Sequence, residues 1–576
     1  MNTRRTRKWV AGVGSIVAAV TLLATVITVT SATAATVPTS FPRNETLYTS
    51  GTQYGTPSSW NPMQQGGYGT GTVGLIYETL FLYNPMNGQY VPWLAKSGTW
   101  VNKTQYQITL RPGVTWSDGQ PLTANDVVFT LELGRTNAAV PYSNIWTFLK
   151  SVQATGTNTV LVTFKTPEYQ QWANWLYQWP ILPQHIWSKF SPSEVVTGAN
   201  ANPVGTGAYT LLTSNQQEEV LQKNPTWWGP SAGYSVKPQY IVDIVNGANN
   251  VVLGQVLSGQ IDLSNNFLPG IAKLVSGIGS YGLKTYFAKP PYMLSANTAW
   301  LVPNLTKAPM NDVNFRKALA YAISPQAISN VVYGNIVQPA NPTGLLPTWN
   351  QFINKSVLAQ NGFSYNPAKA RQVLTAAGYK LRGGYFTSPS GKAINLSLIV
   401  PYGWTDWMAA IQLISTELKQ AGINVTPKFP QYNDRTSSLQ NGTFDLAITN
   451  DAQISNTPWT YYQYMFNLPI RKVQNANYNF ERYNNPTAWK LVQKLNATPT
   501  TNKAAMAAVI SQLEKISLTQ LPMIPLWYNG MWAQFTSNYW TGWPSSTSVN
   551  HYLPVTWRGY WNLTGILMLT KLRPVS

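Results

Sequence analysis

Residues 110–130 read LRPGVTWSDGQPLTANDVVFT, and this stretch decides how the whole chain is read. It closes one strand and opens one helix. Just upstream, Tyr106, Ile108 and Leu110 alternate with polar residues, the period of two that buries one face of a strand, and Arg111-Pro112-Gly113 ends the run. Ser117-Asp118-Gly119 supplies a turn. Thr123 stands where it can cap the helix that follows, and Asp126, three residues on, completes a short-armed capping box ahead of Val127, Val128 and Phe129. On physical grounds alone this is an ordered α/β segment.

Around it lies a chain of 576 residues, 44% hydrophobic and 13% aromatic, enough to bury large cores in more than one domain. Cysteine is absent, which excludes disulfides, thiolate metal sites, a cysteine nucleophile and a lipid anchor on an N-terminal cysteine. His185 and His551 are the only histidines, and G-x-S-x-G, HExxH and Walker lysine motifs are missing. No catalytic residue, metal or cofactor is expected. Lys and Arg outnumber Asp and Glu 39 to 19, a balance that ordinarily raises nucleic acid as a partner. Here the bases are scattered and charged residues make up only 10% of the chain, so the excess reflects scarce acids, and nucleic acid is not expected. Few carboxylates also means few groups to protonate in acid, which suggests a protein that faces low pH.

Arg4, Arg5, Arg7 and Lys8 precede an apolar run from Trp9 to Thr30, and Ala32-Thr33-Ala34 forms an A-x-A cleavage site. Residues 1–35 are read as a secretory signal, or as an N-terminal anchor if left uncleaved, since about 20 apolar residues span a bilayer. The remainder is expected outside the cytoplasm, extracellular or periplasmic.

Several strings are similar to those of family 5 of the extracellular solute-binding proteins, the peptide/nickel-type binding components of ABC importers. Besides residues 110–130 they include ILPQHIW (181–187), NPVGTGAY (202–209), KNPTWWG (223–229) and LSGQIDL (257–263). Further on come PMNDVNFRKALAYAIS (309–324), YNPAKARQVLTAAGY (365–379), GTFDL (442–446) and LPMIPLW (521–527). Helical spacing supports the later strings, with Phe315, Leu319, Ala322 and Ile323 on one face, and then Trp407, Ile411, Ile414 and Leu418 on another. The resemblance implies an α/β, two-lobed periplasmic-binding-protein-like fold of the large three-domain type, with a hinge between lobes. Residues 36–62 would enter lobe I, 63–205 form an inserted domain, 206–292 return to lobe I, 293–526 form lobe II and 527–576 rejoin lobe I. The crossings are expected near Tyr292 and Trp527. It further implies a monomer that encloses an oligomeric solute by hinge closure and delivers it to a membrane permease served by separate ATPase subunits.

Candidate ligand contacts are the aromatic and amide side chains around the expected cleft. They are Trp60 and Asn61 in an early NP turn, then Tyr402, Trp404 and Trp407 on one side. Trp459, Tyr461, Tyr462 and Tyr464, in SNTPWTYYQYMF, stand on the other, with Trp527, Trp540 and Trp543 nearer the C-terminus. Flat aromatic faces suit the C–H faces of sugar rings, and amides pair with hydroxyls. TPWTYY and NYWTGWP look like strings of the family's oligosaccharide-binding branch, which implies a β-linked cello- or manno-oligosaccharide as ligand. Asp451 stands at the family's amine-anchoring position and keeps an oligopeptide as the alternative. A cell-surface interaction protein that has kept the fold and lost transport is the third reading.

Overall fold

Gln105–Leu110 is a strand in which Tyr106, Ile108 and Leu110 are buried and Gln107 is exposed, the alternation expected from its sequence. The structure, a computed structural model, describes residues 40–50, 55–64, 68–275, 282–474, 478–549, 552 and 564–575. The expected export segment and His551 lie outside the described residues. Gln105–Leu110 pairs antiparallel with Ala95–Asn102 and Thr159–Phe164, and Leu149–Gly156 completes a four-stranded sheet. The helix Ala124–Thr136 follows, and the Asp126 carboxylate accepts the Thr123 N–H at 2.8 Å and its hydroxyl at 3.2 Å. The other Asp126 oxygen accepts the Gln184 N–H at 2.9 Å, which ties the helix to ILPQHIW.

Among the described residues, two larger sheets form the lobes. In the seven-stranded sheet of the first lobe, Thr46–Ser50 lies parallel to Tyr240–Ile244 and to Leu263–Ser264. Tyr209–Ser214 and Glu218–Lys223 extend one edge, and Gln534–Thr536 and Leu283–Thr285 the other. The four-stranded unit is therefore inserted, in chain order, between two strands of this sheet. NPVGTGAY closes the insertion: Gly207 and Tyr209 donate backbone N–H groups to the carbonyls of Ile76 and Leu75 at 2.9 and 3.1 Å.

In the six-stranded sheet of the second lobe, Leu396–Ile399 lies parallel to Val425–Lys428 and Leu446–Thr449. The helix Thr405–Gln420 makes the first crossover and buries Trp407, Ile411, Ile414 and Leu418 against the sheet, as its spacing requires. Asp312 caps the helix Val313–Ala322 by accepting the Asn314 N–H at 2.8 Å.

The chain crosses between lobes twice. The first crossing lies between Thr285 and Leu294, around the expected Tyr292. The second comes later than Trp527. Ile524–Met531 stays buried and paired to Leu294–Pro303 through Met531, so only Trp532 and Ala533 separate it from Gln534–Thr536 in the first lobe.

Candidate ligand-binding cleft

Ligands of open α/β sheets gather outside the carboxyl ends of parallel strands, where the chain turns away and leaves a crevice. In the first lobe those ends are Ser50, the loop after Ile244 and the loop after Ser264, which carry Asn246, Asn249, Asn265 and Asn266, all buried. Asn246 Nδ2 donates to Ser50 Oγ at 2.6 Å, and Ser50 Oγ donates to Asn266 Oδ1 at 3.3 Å. Asn265 Nδ2 donates at 2.5 Å to the carbonyl of Trp532, in the second crossing.

The parallel strands of the second lobe end in Tyr402, Trp404, Thr405 and Asp406 after Ile399, and in Asn450, Asp451 and Gln453 after Thr449. The two sets meet. Asn249 Nδ2 approaches Thr405 Oγ1 at 3.3 Å and Asp406 Oδ1 at 3.5 Å. Beside the crossings, Asn297 Nδ2 donates to Gln453 Oε1 at 2.8 Å. At or beside this boundary three buried amide oxygens, those of Asn246, Asn297 and Gln534, accept no hydrogen bond from the described residues. A buried amide oxygen without a donor is costly, so this lining is complete only when something else supplies O–H or N–H groups.

An aromatic run lies along the same boundary. Trp404 meets Trp407 edge-on at 4.8 Å, Trp407 meets Trp527 at 6.0 Å, and Trp527 meets Tyr333 at 5.5 Å. Tyr333 stacks on Trp532 at 6.1 Å, and Phe267 of the first lobe touches both. Asp406 accepts the Tyr333 hydroxyl at 3.0 Å, and burial pushes its carboxyl up to about 6 against the hydrogen bonds that favour the anion.

Of the residues expected from sequence, Tyr402, Trp404, Trp407 and Trp527 therefore lie at or beside the boundary, Tyr402 being 59% exposed at its rim. The others are placed differently. Trp60 donates its indole N–H to the Glu219 carboxylate at 2.9 Å, and Asn61 donates to the carbonyls of Val195 and Gly198, so the two tie the NP turn to a neighbouring side chain and to backbone. Trp459, Tyr461 and Tyr462 are buried in the second lobe's own core, with Tyr461 packed edge-on against Trp300 and Trp349. Trp540 and Trp543 are core of the first lobe, their indoles donating to the carbonyls of Thr46 and Thr536. The structure thus places these residues within the lobes and not along the aromatic run. Asp451 turns one carboxylate oxygen to Thr449 and to Tyr464 within its own lobe, at 2.5 and 3.1 Å.

The buried asparagines escaped the sequence reading. Their only signal was amide-rich text directly after apolar strand patterns, NGANN after YIVDIV and SNN after IDL.

The description "bacterial extracellular solute-binding proteins, family 5, middle" matches residues 89–469. A Thermotoga maritima protein described as a periplasmic oligopeptide-binding protein, with mannohexaose bound, is 39% identical. The match covers 93% of this chain and 99% of that one with a TM-score of 0.88. The oligopeptide-binding protein AppA of Bacillus subtilis, in complex with a nonapeptide, shares the fold at 19% identity and a TM-score of 0.75, over 92% of this chain and 99% of its own. The peptide transport periplasmic protein SapA of Salmonella typhimurium is 24% identical over 78% of this chain and 81% of its own.

Proposed function

The chain belongs to the bacterial extracellular solute-binding proteins, family 5, the extracytoplasmic substrate-binding components of ABC importers, and from that premise we propose that its cargo is a neutral β-linked oligosaccharide of the manno or cello type. The cargo is enclosed between the lobes and handed to a membrane permease whose ATPase subunits are separate chains. One observation carries this reading: buried amides line the boundary, and three at or beside it, Asn246 at a strand end and Asn297 and Gln534 on the strands next to the crossings, have an unpartnered oxygen. A hydroxyl is both donor and acceptor, and so is an amide, whereas the charged ends of a peptide call for buried opposite charges. Asp451, the expected amine anchor, turns one carboxylate oxygen to Thr449 and Tyr464. The 39% identical relative was solved with mannohexaose in place, which supports the same class.

An oligopeptide is the second reading, and the names of the relatives favour it: SapA and the probable peptide-binding protein YejA of Agrobacterium fabrum are both described as peptide proteins. Asp406 is the acid at the boundary that an α-amine would seek. Calorimetry of the protein against manno- and cello-oligosaccharides, and separately against pooled short peptides, decides between the two. Saturable heat with a sugar is expected. Heat with peptides and none with sugars would replace the sugar reading by the peptide one.

A further inference from the structure

The inserted unit touches more than the lobe into which it is spliced. Its helix Tyr169–Gln178 lies against the second lobe through a seam of polar side chains. Gln170, fully buried, donates to the carbonyl of Thr498 at 2.7 Å and accepts the Thr457 hydroxyl at 2.6 Å. Asn496 accepts the Gln171 N–H at 2.9 Å and donates to Glu168, and Asn174 donates to Thr460 Oγ1 at 3.1 Å. A second contact lies nearer the hinge. Tyr90 accepts from Asn456 at 2.9 Å, and Met86, like Ile454, packs against Ala296 and Met531 of the crossing strands.

Three of these polar contacts, to Asn456, Thr457 and Thr460, fall within residues 454–460 of the second lobe. That segment continues directly from Gln453, which holds Asn297 at the cleft. The stretch SNTPWT, expected from sequence to touch ligand, thus docks the inserted unit while its neighbour lines the site.

We propose that the inserted unit is a closure latch, gripping residues 454–460 and 496–498 of the second lobe only when the lobes are shut, so that it stabilises the ligand-bound form without touching ligand. The seam suits that task. Its partners are amides, hydroxyls and backbone carbonyls that water can satisfy on opening, and polar interfaces of this kind between domains separate at low cost. Helix Tyr169–Gln178 belongs in sequence to the first lobe's insertion, so hinge rotation of the second lobe must break the seam. Gln170 is accordingly a positioning residue.

The inference rests on hinge closure and not on the identity of the cargo, and its test keeps the two apart. The chain lacks cysteine, so exposed Thr155 of the inserted unit and exposed Lys490 of the second lobe can each be changed to cysteine and spin-labelled in the full-chain protein. Their distance distribution is measured with and without mannohexaose, and with and without a peptide pool. Gln170→Ala with Thr457→Val is expected to lengthen and broaden the distribution measured with ligand, and to weaken binding of whichever ligand narrows it in the parent protein by about tenfold. If the double variant fails to fold, Asn174→Ala alone is expected to give the same change on a smaller scale. A distribution that neither substitution alters, or that no ligand changes, overturns the latch. A response to peptides alone leaves the latch standing and removes the sugar reading.

Discussion

Gly207 has no room for a side chain: a Cβ there would stand 1.9 Å from the Leu75 carbonyl oxygen. The second glycine of NPVGTGAY is thus explained by backbone approach where the inserted unit rejoins the first lobe, and no phosphate need be invoked. Gly207→Ala should destabilise the protein by about 3 kcal/mol or more, read from denaturant unfolding, because the clash is with the Leu75–Ile76 backbone and not with a side chain that could move aside. The residue scale is also where the sequence was least legible. Asparagines 246, 249, 265 and 266 carry no periodicity, and only the packing of three parallel strand ends brings them together. Tryptophans are ambiguous for the opposite reason. An indole in loop-like text fits a core as well as a ligand, and Trp540, buried against the carbonyl of Thr46, belongs to the core.

At the scale of elements much more could be read. Strand Gln105–Leu110, the Thr123 cap and the buried face of Thr405–Gln420 follow from local pattern, because each needs only its own sequence and one apolar neighbour. Trp459–Phe466 did not follow. Seven of its eight residues are buried, so it has no polar face by which to announce a helix. The second crossing is likewise a property of pairing, set by how far Ile524–Met531 stays in register with Leu294–Pro303. Trp532 in that crossing stacks on Tyr333 and meets Phe267 of the other lobe at 5.2 Å. Trp532→Ala should therefore cost about 3–5 kcal/mol in stability, as deleting a buried indole does. It should also weaken ligand binding, since the lost contact joins the two lobes. Unfolding and binding measured on the same preparation check both, and unchanged affinity would place Trp532 outside the closing mechanism.

Across the whole molecule the scarce acids are placed unusually. Burial pushes Glu78, Glu168, Glu417 and Glu514 up to about 7, and Asp262 and Asp406 up to about 6. Glu78 shows why they persist: it accepts the indole N–H groups of Trp93, Trp227 and Trp228 at 2.9, 3.2 and 2.8 Å. A carboxyl whose folded pKa lies above its unfolded value holds its proton more tightly when folded. Its contribution to stability is fully present below the unfolded pKa and is lost as pH rises through about 6 to 7. Asp445 runs the other way: burial would raise it, but Lys307 at 3.0 Å and Ser397 outweigh burial and hold it below the usual range, so its contribution is lost only in stronger acid. The melting temperature should thus rise as pH falls from about 7.5 to about 5, and decline only below about pH 4, near ordinary carboxyl values. A melting temperature that falls steadily from neutrality would contradict this and the expectation of an acid-facing protein.

The claim on which the functional reading turns is that an amide-lined boundary between lobes, with unpartnered oxygens on Asn246, Asn297 and Gln534, receives a polyhydroxylated ligand. The most direct measurement is calorimetric titration of mannohexaose into the wild-type protein and into Asn246→Ala. Wild-type binding, weakened about tenfold or more in the variant, is the expected result. No heat with the hexasaccharide, or equal affinity in both proteins, would contradict it.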